Sequence, residues 1–164
     1  MVRTKRRVRL CVVLLVANLA FIWGNSLMPA ELSRSFSQWV KGILDFLLPS
    51  IGSDEPGEGH HLLRKLAHLT EFACLGFLLS WLVRMLRESK REHYFVPLLL
   101  GALVAGLDEC IQIFVPERGP GILDVGIDTL GVTLGITLMT LYVSIKHKSW
   151  KKTGVCHSEN AEGS

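Results

Sequence analysis

The sequence predicts an all-α fold. It is a four-helix transmembrane bundle with both termini cytoplasmic and an amphipathic interfacial helix between the first and second transmembrane helices. Three observations predict it. The chain of 164 residues is 49% hydrophobic with a mean hydropathy of +0.34, more apolar than an average soluble domain. Four segments, at about 8–28, 62–85, 94–115 and 121–145, each reach the roughly 20 apolar residues that cross a bilayer. The basic residues between them fall mostly on one side.

The first segment opens on a basic arm (Arg3, Lys5, Arg6, Arg7, Arg9). A signal peptide begins this way too, but Trp23, Asn25 and Met28 make a poor small-residue cleavage site, so a retained helix is expected. The connection after it is not plain linker. Leu32, Phe36, Trp39, Val40, Ile43, Leu44 and Leu47 share one helical face, and Pro29 and Pro49 suit a start and a stop. That reads as a helix over about 30–48, lying flat on the membrane with Trp39 at headgroup depth. "SIGSDEPGEG" then reads as a flexible acidic connector.

The second segment carries Arg64, His68 and Glu71 at i, i+4 and i+7, which places them on one face. The third ends in "GLDECIQIFV", with Asp108, Glu109 and Gln112 in its last turns. The fourth opens with "GILDVGIDTLGVTLG", with Asp124 and Asp128 one turn apart, and Arg118 lies in the short connection before it. Gly131 and Gly135 form a GxxxG pattern, and Gly101 with Ala105 a related one; both read as helix packing.

Orientation follows from lysine and arginine. Thirteen of the eighteen lie in the arm, the loop between the second and third segments (Arg84, Arg87, Lys90, Arg91) and the tail (Lys146, Lys148, Lys151, Lys152). Both termini are therefore expected in the cytoplasm. Residues 1–152 read as one integral membrane domain and 153–164 as a disordered cytoplasmic tail. The topological role already explains the basic arm, and no recognition motif accompanies it, so no nucleic-acid partner is expected. The four cysteines match neither a zinc pattern nor a disulfide framework and read as buried small hydrophobes. No Walker loop, HExxH or GxSxG occurs.

In this topology three helices each put ionisable groups in the outer half of the membrane. A charge at a helix centre costs roughly 2.5–3.5 kcal/mol on insertion scales. Glu71, Asp108, Glu109, Asp124 and Asp128 are thus expected to face inward, around one polar cavity open to the outer face. They outnumber the nearby cations (Arg64, Lys65, Arg118 and His68), so a retained proton or a bound cation is expected. Plainer roles remain open. Arg64 and Lys65 could anchor a helix end, His68 could be a satisfied interior histidine, Asp124 could cap its helix, and Gln112 could bridge helices. Asp108 and Glu109 point about 100° apart around the helix. One is expected to face the Arg64–Glu71 stripe and the other the Asp124 helix.

Three blocks, "RKLAHLTEFACLGFLL", "GLDECIQIFVPERGPGILDV" and "DTLGVTLG", together with "FIWGNSLMP", resemble the VanZ-like membrane proteins over about residues 8–145. Phe72 stands where that family usually has Tyr and Asp128 where Asn is usual. Glu117 and Pro120 alter the loop around Arg118. The resemblance implies a multi-pass protein of the bacterial plasma membrane, associated with reduced susceptibility to teicoplanin and related lipoglycopeptides. It also implies that Arg64, His68, Glu71, Asp108, Glu109, Gln112, Arg118 and Asp124 form the polar signature; Asp128 joins them as a ligand-binding candidate by its place one turn on from Asp124.

Three functions follow as expectations. The first is an envelope factor whose outer site binds a membrane lipid, a lipid-linked cell-wall component or an acylated antibiotic, with Arg64 and Arg118 on phosphate or carboxylate. The second is an intramembrane enzyme acting on a polyprenyl or phospholipid headgroup. Its catalytic candidates are His68, Glu71, Asp108 and Glu109, with a metal variant using His68, Glu71, Asp108 and Asp124. The third is a proton- or ion-coupled transporter. Whether the chain is an enzyme is left open, no cofactor follows from the sequence, and a homo-oligomer is an open alternative.

Overall fold

A computed structural model describes residues 2–27, 58–116 and 121–159, with side chains over 5–27, 65–116 and 121–147. Four α-helices account for nearly all of it: α1 (Val2–Ser26), α2 (Glu58–Leu86), α3 (Glu92–Gln112) and α4 (Ile122–Glu159). Within them Lys5–Ser26, Lys65–Leu86, Glu92–Gln112 and Ile122–His147 are each long and apolar enough to cross a membrane. The four expected spans are therefore present, with edges shifted by up to three residues. The expected interfacial helix at 30–48 and most of the acidic connector lie outside the described residues. Glu58 and Gly59, the last two connector residues, already belong to α2.

Each end has a local cause. α3 follows a short bend after Leu86 and carries Pro97 in its second turn. There the missing N–H costs one ladder bond, and the ring is buried in the bundle. α3 stops at Gln112, where the backbone tightens into turns: Phe114 N–H donates to the Ile111 carbonyl and Val115 N–H to that of Gln112. α4 runs to Glu159, into the segment expected to be a disordered tail. No proline interrupts that helix, so its hydrogen-bond ladder continues past the apolar span.

α2 packs against all three other helices, most extensively against α4. Glycines set that closeness. A methyl at Gly135 would meet the Ala73 carbonyl oxygen and stand 2.6 Å from the Phe77 nitrogen. One at Gly131 would stand 2.6 Å from the Leu69 carbonyl oxygen. From the opposite side, Gly76 abuts the Val132 backbone. The GxxxG pattern thus packs α4 on α2, as its spacing suggests. Gly101 of α3 leaves room for the Val132 side chain, and Ala105 one turn on is fully buried.

The core combines Cys11, Leu15 and Ile22 of α1, Phe72 and Leu75 of α2, Ala105 of α3, and Val132 and Ile136 of α4. Outside it the bundle presents Leu10, Val13, Phe21, Phe95, Leu99, Leu103, Leu107 and Leu130, all exposed. An apolar exterior around a partly polar interior is what a bilayer solvent selects. The expectation of buried cysteines holds for Cys11 alone among those described: Cys74 and Cys110 are exposed. At that outer surface a thiol meets the same apolar setting that a core would give it.

Candidate functional site

The helices alternate in direction, so one end of the bundle gathers the C-terminal turns of α1 and α3 with the N-terminal halves of α2 and α4. That end holds the polar residues. Asp108 is fully buried, and Glu71, Glu109, Gln112 and Asp128 are each at most 8% exposed. These are not lipid-facing charges. They sit inside the bundle, as the insertion cost requires.

Asp108 is the centre. Its Oδ2 accepts from the Ser26 hydroxyl at 2.7 Å and from Gln112 Nε2 at 2.9 Å. Gln112 also reaches Ser26 Oγ at 3.4 Å, closing a triangle between α1 and α3. The other oxygen, Oδ1, is buried and receives no hydrogen bond among the described residues. His68 of α2, Asp108 and Asp128 of α4 each bring one ligand-type atom within 4.8 Å of the other two. Glu71, one turn on from His68, accepts from Asn25 Nδ2 at 2.7 Å through Oε1. Its Oε2 is buried without a donor among the described residues. Asn18 of α1 approaches the Glu71 backbone carbonyl at 3.5 Å.

Glu109 does a different job from its neighbour. Its Oε2 accepts from the Gly121 N–H at 3.0 Å, just ahead of α4. That N–H is one of the donors a helix start leaves unsatisfied, and the helix dipole favours an anion there. The two adjacent acids therefore diverge. Asp108 faces α1, α2 and α4 in the interior, and Glu109 turns to the start of α4. Asp124 occupies the first turn of α4 and is half-buried. Its carboxylate folds back over Gly121, where a β-carbon would stand 2.8 Å from Oδ2.

The structure thus brings together His68, Glu71, Asp108, Glu109, Gln112 and Asp128, with Asp124 at the rim. Arg64 lies on α2, but its side chain is outside the described part, and Arg118 falls outside the described residues. Among the described residues no Lys or Arg pairs with Asp108, Glu71 or Asp128. The Arg87–Glu92 ion pair, at 3.6 Å, lies at the opposite end.

Sequence reasoning missed Asn25 and Ser26 as members of the cluster. Their signal was a polar pair closing an apolar span, at the end where the other helices hold their acids. The opposite half holds polar contacts as well. Arg84, counted there as a loop cation, folds inward instead. Its Nη2 donates to Thr140 Oγ1 at 2.7 Å and its Nε to the fully buried Ser80 Oγ at 3.3 Å.

No curated protein and no solved structure matches the chain. A family model does: VanZ/LLP1, over residues 11–143. That stretch takes in nearly all of the four apolar spans and every residue of the buried cluster, and on it the chain belongs to the VanZ/LLP1 family, as a multi-pass membrane protein.

Proposed function

We propose that this protein acts in the bacterial plasma membrane as an envelope factor. Its buried polar end faces the outer leaflet and binds a lipid-linked molecule with an anionic headgroup. That molecule is a lipid-linked cell-wall component or an acylated glycopeptide such as teicoplanin, and the result is reduced susceptibility to such drugs. Both termini lie in the cytoplasm in this reading. The segment 30–48 lies on the outer surface, and Arg64 and Arg118 take the phosphate or carboxylate.

The observation that carries the reading is the convergence of four helices on Asp108. Helix association alone does not call for five acids at one end of a bundle in lipid. A single interhelical hydrogen bond would suffice. Thirteen of eighteen basic residues flank the opposite end or lie in the terminal arms, which supports the outward direction.

The test is made in cells. Deletion of the gene is expected to raise teicoplanin susceptibility. The wild-type chain restores the original level, and Asp108→Asn, present at equal membrane abundance, does not. Unchanged susceptibility on deletion would end this reading. A second reading, an intramembrane headgroup enzyme, draws on His68 standing among carboxylates as an acid–base group. Turnover of lipid-linked phosphates by the purified chain, lost in His68→Ala, would favour it.

A further inference from the structure

Three side chains of metal-ligand type, from three different helices, meet inside the bundle: His68 of α2, Asp108 of α3 and Asp128 of α4. We propose that this trio holds one divalent transition-metal cation, with Mn²⁺ and Zn²⁺ as the chemical fits.

The spacing is close to what one ion needs. Ligands about 2.1 Å from a common ion can stand at most about 4.2 Å apart. The three atoms already lie within 4.8 Å of one another, so the widest pair closes by up to about 1.4 Å to reach the roughly 3.4 Å separation of tetrahedral ligands. Mixed imidazole and carboxylate donors suit Mn²⁺ and Zn²⁺ better than a purely oxygen-seeking ion.

A second, independent observation comes from Asp108. It is fully buried, and its two oxygens are treated differently. Ser26 and Gln112 both donate to Oδ2, while Oδ1 has no donor among the described residues. Fixing one oxygen of a carboxylate by outer hydrogen bonds, and leaving the other for the ion, is how second-shell partners orient a metal ligand. Charge points the same way. Asp128 is 2% exposed, and Asp108, Glu109, Asp124 and Glu71 all lie close enough to act on it electrostatically. A dication balances Asp108 and Asp128, with which no described Lys or Arg pairs.

Three protein ligands leave coordination positions for water, and these could receive a headgroup oxygen. That last step rests on the function proposed above; the metal site itself does not.

The experiment uses the full chain purified in detergent and stripped with a chelator. It is titrated with MnCl₂ or ZnCl₂ by calorimetry, and metal content is measured after desalting. One equivalent per chain is expected, with affinity at least tenfold weaker in His68→Gln, Asp108→Asn and Asp128→Asn. It should be unchanged in Arg84→Gln at the far end of the bundle. Mn²⁺ electron spin-echo spectra of the wild-type chain should show coupling to an imidazole nitrogen, a readout that needs no variant to fold. Absence of saturable binding at submillimolar metal, wild-type affinity in all three ligand variants, or bound Mn²⁺ without nitrogen coupling would each overturn the proposal. Metal binding without any effect of the gene on lipoglycopeptide susceptibility would keep the site and discard the envelope role. The reverse result would discard the metal alone.

Discussion

Asp128→Asn separates a residue that holds the bundle together from one that the bundle tolerates. Asp128 is 2% exposed and shares its space with Asp108 and His68. Where both carboxylates are ionised, their unit charges at the 4.8 Å limit of that cluster repel by about 3.5 kcal/mol at an effective dielectric constant of about 20, and a proton retained on one of them exchanges that repulsion for the cost of holding the proton. Local relaxation takes up part of this, so the uncharged, nearly isosteric amide is expected to stabilise the metal-free protein by about 2 kcal/mol. For a chain of this size that is a rise of roughly 4–8 °C in unfolding midpoint. The assay is thermal unfolding of the purified chain in detergent with excess chelator, followed by tryptophan fluorescence. With metal at about a hundred times its Kd the variant's advantage shrinks by at least about 1.3 kcal/mol, because wild type gains about 2.7 kcal/mol from the ligand and a variant that binds at least tenfold more weakly gains at most about 1.4 kcal/mol. A midpoint several degrees lower for Asp128→Asn in chelator would refute the reasoning. Asp128 would then be a structural hydrogen-bonding partner rather than one acid too many.

Other perturbations follow from the same contacts. Gly135→Ala drives a methyl into the Ala73 carbonyl, and overpacking of about 1–3 kcal/mol outweighs the helix-propensity gain of about 1 kcal/mol. The paired control Gly24→Ala, with nothing within 4 Å, should instead stabilise slightly in the same melt. Ser26→Ala removes the 2.7 Å donor to Asp108 and is expected to cost about 1.5–3 kcal/mol, unless unfolding curves show Gln112 compensating fully. In a chain with its native cysteines replaced, Leu27→Cys should react with a membrane-impermeant maleimide in intact cells. Ser89→Cys should react only after permeabilisation, and the opposite pattern would invert the assigned topology.

Much of this fold was legible because lipid leaves few options. An apolar run of span length must be a helix or part of a closed barrel, and the period and length of these four runs select helices. The polar end was legible for the same reason: acids in such runs have to meet, and alternation of helix direction says at which end. What spacing did not convey is lateral packing. Asp124 and Asp128 share a face of α4, yet Asp128 meets His68 and Asp108 while Asp124 stays at the rim over Gly121. The choice turns on where α2 closes on α4, set by Gly76 meeting Val132 across the glycines of α4. Likewise the spacing of Asn25 and Ser26 gives no sign of partners on other helices. Only the crossing of α1 over α2 and α3 shows them donating to Glu71 and Asp108. Arg84 was misplaced because a long side chain near a helix end can turn either to the interface or inward, and Ser80 and Thr140 draw it inward.

The central claim is that the acids around Asp108 are kept for what they bind. Equilibrium binding to the full chain in lipid nanodiscs tests it most directly, with teicoplanin, a polyprenyl phosphate and a glycopeptide lacking an acyl chain as ligands. Saturable binding of at least one lipid-bearing ligand is expected, with none of the unacylated glycopeptide. Asp108→Asn should lose at least tenfold in affinity while unfolding no earlier than wild type. Equal binding by wild type and Asp108→Asn, or no binding of either lipid-bearing ligand by wild type, would contradict it.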